Sequence, residues 1–361
     1  MTEPEVLFTE LSCANHLIIG VASLNRPKQL NALNLGMCEA LLTQLRIWQS
    51  RTDVVVVIIK GEGEKGFCAG GDVAQVVKHI RAGGPDRYVY GDSFFTVEYA
   101  LDLLIHTYTK PIVSWAHGVT MGGGVGISVG ASHRFVADKS RIAMPEIHIG
   151  LFPDVGGGWF LNRMPGASGL LMALTGMMIN EADAIFGGLA DYYAPHTEQG
   201  RFIESLVAIN WGATAQDQRH QMTHHCREFS KPYSDGLPRS ILRDSFEAFR
   251  EAVSRAKVTG VIKGLNELAA KNPAFETAAA NLQNGSPTAA AVVFEYMRRT
   301  RLMSLQQVLQ LDLILAKQFA RRHDFPEGVR ALLIDKDKRP QWLPKSHNDV
   351  TPQIIAEHFD C

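Results

Sequence analysis

Hydrophobic positions along the chain change their spacing several times, and each spacing predicts an element. Leu17–Leu24 is an apolar run closed by Asn25-Arg26-Pro27, and Val54–Ile59 is an unbroken run of β-branched residues between Asp53 and Lys60. The second run predicts a strand buried on both faces, because a half-exposed strand would alternate. Between the two, Met37, Leu41, Leu45 and Trp48 recur at helical spacing behind Asn34, a residue able to cap the first turn. Further strands are predicted at Ile112–Trp115, Phe135–Ala137 and Ile142–Met144. Strand, helix, strand repeated in this way predicts an α/β architecture with a parallel sheet and functional loops at the carboxyl ends of its strands. From about Phe202 the text turns helical, with long stretches around Ile241–Val258, Phe275–Leu282 and Thr288–Leu315. Ser286-Pro287 marks a helix start, with a capping hydroxyl followed by a first-turn proline. The expected organisation is a core over residues 1–200 that carries the site, and a helical region over 201–361 that covers its pocket.

Composition narrows the classes. With 361 residues and 46% hydrophobic content the chain can bury a full core, and Lys+Arg 36 against Asp+Glu 37 leaves no global field to attract nucleic acid or an anionic membrane. Cys13, Cys38, Cys68, Cys226 and Cys361 are scattered and odd in number, which fits a reducing compartment better than a disulfide framework. The first ten residues, MTEPEVLFTE, carry acids where a targeting peptide carries Arg, and no apolar run approaches a membrane span. A cytoplasmic protein is expected.

Candidate chemistry concentrates in two glycine turns and two carboxylates. Gly66–Asp72 and Met121–Gly126 each stand where a strand gives way to a helix, so bare backbone N–H groups and a helix's positive end coincide. Two such turns side by side can hold one oxygen between two donors. Glu146 and Asp154 follow Pro145 and Pro153 within apolar text, where desolvation raises a carboxyl's pKa and makes it a usable base or nucleophile near neutrality. Other motifs fail on their own terms. Gly61–Phe67 has Phe67 where a phosphate loop needs lysine, and a dinucleotide fingerprint from Gly122 and Gly124 would need glycine at Ile127. Gly126–Gly130 matches GxSxG, but Ser128 falls inside the helix after the turn rather than on a strand-to-helix elbow. His220, His224, His225 and Cys226 have metal-ligand spacing, yet Gln221 occupies the glutamate slot of HExxH, so no metal site is expected.

On Leu24–Pro27, Asn31–Leu33, Gly66–Asp72, His117–Gly126 and Pro145–Gly150 the chain resembles the crotonase, or enoyl-CoA hydratase/isomerase, superfamily. Met121–Ser128, Ala143–Glu146 and Ile149–Gly158, with Glu327–Ala331 and Leu333–Asp337 near the end, extend the likeness to a branch of that superfamily that hydrolyses acyl-CoA thioesters. The resemblance implies the crotonase-like fold of repeated ββα units. It implies hydrolysis of a short-chain 3-hydroxyacyl-CoA thioester, with coenzyme A as part of the substrate and no separate cofactor. It also implies that the amides of Gly71 and Gly123 bind the thioester oxygen, that Glu146 and Asp154 are the catalytic carboxylates, and that Glu98 contacts substrate. Arg26 and Lys28 would receive the CoA phosphates. Members of the superfamily tend to form oligomers, and the sequence sets no number. A hydratase of this kind would carry a second glutamate where Gly126 stands, so paired acid/base hydration lacks a partner. Hydration or isomerisation of an enoyl-CoA, and a silent acyl-CoA-binding protein, are the alternatives.

Overall fold

The computed structural model describes residues 3–360, so Cys361 and the first two residues of the acidic N-terminal stretch lie outside it. The chain divides into two compact units, and neither is a continuous stretch. One comprises residues 1–71, 100–142 and 179–240, the other 72–99, 143–178 and 241–361. The boundary expected at residue 200 does not coincide with either unit. Hydrophobic spacing identifies elements one at a time and carries no record of which distant segments pack together.

The first unit holds a six-stranded sheet. Its strands are β1 (Val6–Ser12), β2 (Ile18–Leu24), β3 (Val54–Gly61), β5 (Ile112–Ala116), β7 (His133–Val136) and β9 (Tyr192–Tyr193), in that spatial order. Only β1 and β2 pair antiparallel; each later neighbour is parallel. Sequence spacing misses β1, because four of its seven residues in a row are exposed and no buried face stands out. β3 is buried almost throughout, as its continuous apolar run requires. Val55, Val56 and Ile58 join Trp115, Phe135, Phe202, Met222 and Cys226 in one apolar cluster. Trp48 of α1 (Leu35–Ser50) lies so close to β2 that a Cβ at Gly20 would be 2.8 Å from its ring. Asn34 caps α1 by accepting from the Met37 N–H at 2.9 Å.

Short strands β4 (Gly66–Cys68), β6 (Val119–Met121) and β8 (Arg141–Ala143) form a second sheet. Together with the first sheet they give the ββα repeat: β1 and β2 before α1, β3 and β4 before α2 (Val73–Ala82), β5 and β6 before α4 (Gly123–Gly130).

The second unit is mainly helical. The stretch expected as one helix over Thr288–Leu315 is two, Pro287–Thr300 and Leu305–Ala320, divided where Ser304 and Gln307 build a capping box. Ser286 caps the first by accepting from the Ala289 N–H at 3.0 Å. No helix among the described residues is long and apolar enough to cross a membrane.

Candidate active site

In the first unit, the asparagine-arginine-proline segment after β2 scaffolds the first glycine turn. Asn31 is fully buried with φ +56°, and its amide donates to the carbonyls of Glu62 and Gly66, both at 3.0 Å. The Leu33 N–H donates to the Gly70 carbonyl at 2.8 Å, and Leu33 bridges Gly71 as a parallel strand would. The second turn lies against the first. Gly70 has φ +101°, and a Cβ there would stand 3.0 Å from the Met121 carbonyl and 3.4 Å from the Gly123 nitrogen. Gly123 opens α4, so its N–H has no carbonyl within the helix to bond. The two glycine turns therefore pack against each other, and a side chain at Gly70 would crowd Met121 and Gly123.

Arg26 does not stand ready for phosphate. Its guanidinium pairs with Glu5 at 3.1 Å and donates to the Ala32 carbonyl at 2.6 Å, holding the same loop. Lys28, two residues on, is exposed. Ser128 is buried inside α4 with its hydroxyl 3.2 Å from that of Ser114, a neutral partner that cannot serve as the base a nucleophilic serine needs. On the helix Ala215–Ser230, His220 and His224 are exposed while Cys226 faces the core, so the four residues with ligand-like spacing do not share one face.

The second unit assembles the carboxylates. Glu146 begins a single 3₁₀ turn, Glu146–Ile149, ended by Gly150 with φ +65°. A Cβ at Gly150 would lie 2.5 Å from the Asp324 carbonyl, so only glycine lets the chain turn there. Glu146 is 5% exposed, and its Oε2 has no hydrogen-bond partner among the described residues. Burial, with the nearby charge of Asp154 added, pushes its carboxyl well above the ordinary range. Asp154 is equally buried, and burial raises its carboxyl to about 6 even though the Tyr99 hydroxyl, donating to Oδ2 at 2.6 Å, favours the charged form. Tyr99 is itself held far above its usual pKa by burial, so it remains a donor. Tyr99 and Glu98 are adjacent on α3 (Val89–His106), and Glu98 is 3% exposed.

Asp154 leads into Val155 and Gly156, with φ +51° and +83°. The Gly156 N–H donates to Asp312 Oδ2 at 2.9 Å, and the Gly158 N–H donates to the Tyr296 hydroxyl at 2.8 Å. Sequence reading misses Tyr99, Tyr296 and Asp312. A signal for Asp312 exists: it is an acid at the helical spacing of Val308, Leu315 and Phe319, on what would otherwise be a wholly apolar stripe.

The family model described as "Enoyl-CoA hydratase/isomerase" matches residues 19–359. The chain belongs to that family. A family relative from Xenopus tropicalis, named "3-hydroxyisobutyryl-CoA hydrolase, mitochondrial", is 37% identical over 98% of this chain and 88% of its own length. Two solved family structures are similar throughout. A carnitinyl-CoA dehydratase from Mycobacterium thermoresistibile has TM-score 0.86 at 33% identity, covering 99% of this chain and 97% of its own. An enoyl-CoA hydratase from Rhodobacter sphaeroides has TM-score 0.84 at 32% identity with the same coverage. The crotonase-like fold that the family resemblance implied is thus established. The cytoplasmic expectation is overturned, since the relative carries "mitochondrial" in its name. A cellular address is read by receptors on targeting signals, and the composition of a folded chain does not report it.

Proposed function

We propose that this protein hydrolyses 3-hydroxyisobutyryl-CoA to 3-hydroxyisobutyrate and coenzyme A, a thioester cleavage in valine catabolism. The name carried by its relative supports the substrate. The observation that carries the chemistry is Glu146, buried on a glycine-ended turn with one carboxyl oxygen lacking a hydrogen-bond partner among the described residues and Asp154's charge close enough to raise its pKa. A group so placed gains a bonding partner only when substrate or water arrives.

In this reading the amides of Gly71 and Gly123 receive the thioester oxygen as it becomes an oxyanion; losing one such donor typically costs about 10²–10³ in turnover. Glu146, as carboxylate, then acts in one of two ways. Either its oxygen bonds to the thioester carbon, the C–S bond breaks, the thiolate departs and takes a proton, and water opens the resulting anhydride. Or Glu146 takes a proton from water, whose oxygen attacks the same carbon; the C–S bond then breaks, and the departing thiolate receives the proton that Glu146 took up. Label found in Glu146 after a single turnover in ¹⁸O water marks the covalent route. Asp154 orients Glu146 or the water, Glu98 contacts the substrate, and Lys28 meets a CoA phosphate. Coenzyme A enters as part of the substrate, and no further cofactor is required.

A second reading, hydration of an enoyl-CoA, is favoured by the activities named for the two solved relatives. Gly126 argues against it: it lies buried in α4 and supplies no second carboxylate to handle water. The deciding experiment supplies 3-hydroxyisobutyryl-CoA and crotonyl-CoA in parallel and follows free thiol and enoyl absorbance. Thiol release from the first substrate is expected. Hydration of crotonyl-CoA without thiol release would replace the reading.

A further inference from the structure

An aspartate on the apolar stripe of a helix is unfavourable unless its oxygens are satisfied, and apolar side chains of similar volume usually fill such positions at least as stably. Asp312 is fully buried in the middle of the helix Leu305–Ala320. Its Oδ1 accepts from the Tyr296 hydroxyl at 2.6 Å and its Oδ2 from the Gly156 N–H at 2.9 Å. Tyr296, fully buried in the helix Pro287–Thr300, in turn accepts from the Gly158 N–H at 2.8 Å. Asn162 holds the Gly158 carbonyl at 2.7 Å and is tied to the same helix through the Met297 carbonyl and the Thr300 hydroxyl. Every one of these contacts ends on the short segment that starts at Asp154 or on the helix that clamps it.

That segment cannot keep its shape unaided. Val155 has φ +51°, which a β-branched residue adopts only where its surroundings over-determine it. Gly158 must be glycine, since a Cβ would stand 2.7 Å from the Tyr296 hydroxyl and 2.6 Å from that of Thr300. The turn also returns the Gly157 N–H to the Asp154 carbonyl at 2.7 Å, so the backbone of Asp154 is fixed by the same fold of chain. Tyr99 then holds its side chain.

We propose that Asp312 and Tyr296 are positioning residues for the reaction, a buried carboxylate-hydroxyl clamp that holds the Val155–Gly158 turn in its left-handed form and thereby aims the Asp154 carboxyl. The inference rests on the role given to Asp154 above. It assigns a chemical purpose to a buried acid that stability alone does not call for.

The test is a double-mutant cycle of Asp312→Asn with Asp154→Asn, read by thiol release from 3-hydroxyisobutyryl-CoA. Single turnovers at excess enzyme extend the reading to slow variants, and thermal melting is followed alongside. Asp312→Asn preserves volume but leaves either the Gly156 N–H or the Tyr296 hydroxyl facing an amide donor. A displacement of about 1 Å at a reacting group costs on the order of 10²-fold, so kcat should fall ~10- to 100-fold with KM changed by less than about threefold. In the Asp154→Asn background the same substitution should lower kcat by less than about threefold, because what it positions is gone. A purely structural role would lower the melting temperature in both backgrounds and leave the two losses of kcat multiplying. That result, or an Asp312→Asn enzyme within twofold of the parent, overturns the clamp. If Asp312→Asn does not fold, Tyr296→Phe takes its place in the cycle, keeping the Gly156 bond to Asp312. Should Asp154→Asn itself retain the parent kcat, the role given to Asp154 fails, and the clamp with it; a fall there without one in the clamp variants removes the clamp alone.

Discussion

Replacing Asp154 by asparagine tests the electrostatics of the carboxylate turn directly. Burial holds this carboxyl near 6 against an ordinary 3.8. That difference is about two pKa units, and at about 1.4 kcal/mol per unit it corresponds to roughly 3 kcal/mol of folding free energy. The sign follows from linkage. The folded protein binds this proton more tightly than the unfolded chain, so Asp154 stabilises the fold most below the ordinary aspartate range, loses that contribution as pH rises through about 6, and changes nothing further above it. The asparagine side chain does not titrate, so the variant should gain on the parent by about 3 kcal/mol between pH 4 and pH 8. With unfolding entropies of about 2 cal/mol/K per residue, a chain of 361 residues melting as a whole turns that into a relative shift of about 4 °C in Tm. Calorimetric melting of both proteins across that pH range measures it. The variant should also move the acid limb of kcat/KM to lower pH, since Glu146 loses a neighbouring negative charge. A parent-variant difference in Tm that stays constant from pH 4 to pH 8 would refute the reasoning.

Glu146→Gln should lower kcat by about 10²–10⁴ with little change in KM, the range expected for loss of a base or nucleophile. In the parent, activity should rise with pH along a limb lying well above that of an ordinary glutamate, because only the ionised form reacts and burial opposes ionisation; a limb near 4.5 in the pH profile would contradict the raised pKa. Gly124→Ala places a Cβ 2.3 Å from the Cys68 carbonyl, which must push α4 off the first glycine turn, so kcat should fall by about 10²–10³ and Tm should drop. Unchanged thiol release in that variant would mean the two turns do not act together. Lys28→Ala should raise KM for the acyl-CoA several-fold and leave the corresponding pantetheine thioester unaffected, since the shorter substrate lacks the nucleotide phosphates; steady-state kinetics on the two substrates decide it.

The sequence by itself determined the elements whose partners are local. Asn34 caps α1 and Ser286 caps the helix at Pro287, because capping joins residues three apart. The unbroken run in β3 announced a strand covered on both faces, and the glycine turns announced donors at the start of α4. Glu146 and Asp154 were legible as well, since proline before and apolar residues around a carboxyl already imply desolvation. What only the tertiary structure decided depends on contacts across long separations. β1 is a strand through its pairing with β2, although its own residues show no buried face. Arg26, to all appearance a free cation beside a glycine-rich loop, is committed to Glu5 and the Ala32 carbonyl. Tyr99 reaches Asp154 across 55 positions, and Asp312 reaches Gly156 across 156. A chain can be folded so that any two such segments meet, and spacing along it holds no term for that meeting, whereas helical and strand periodicity is set by the backbone's own geometry and is written into neighbouring residues.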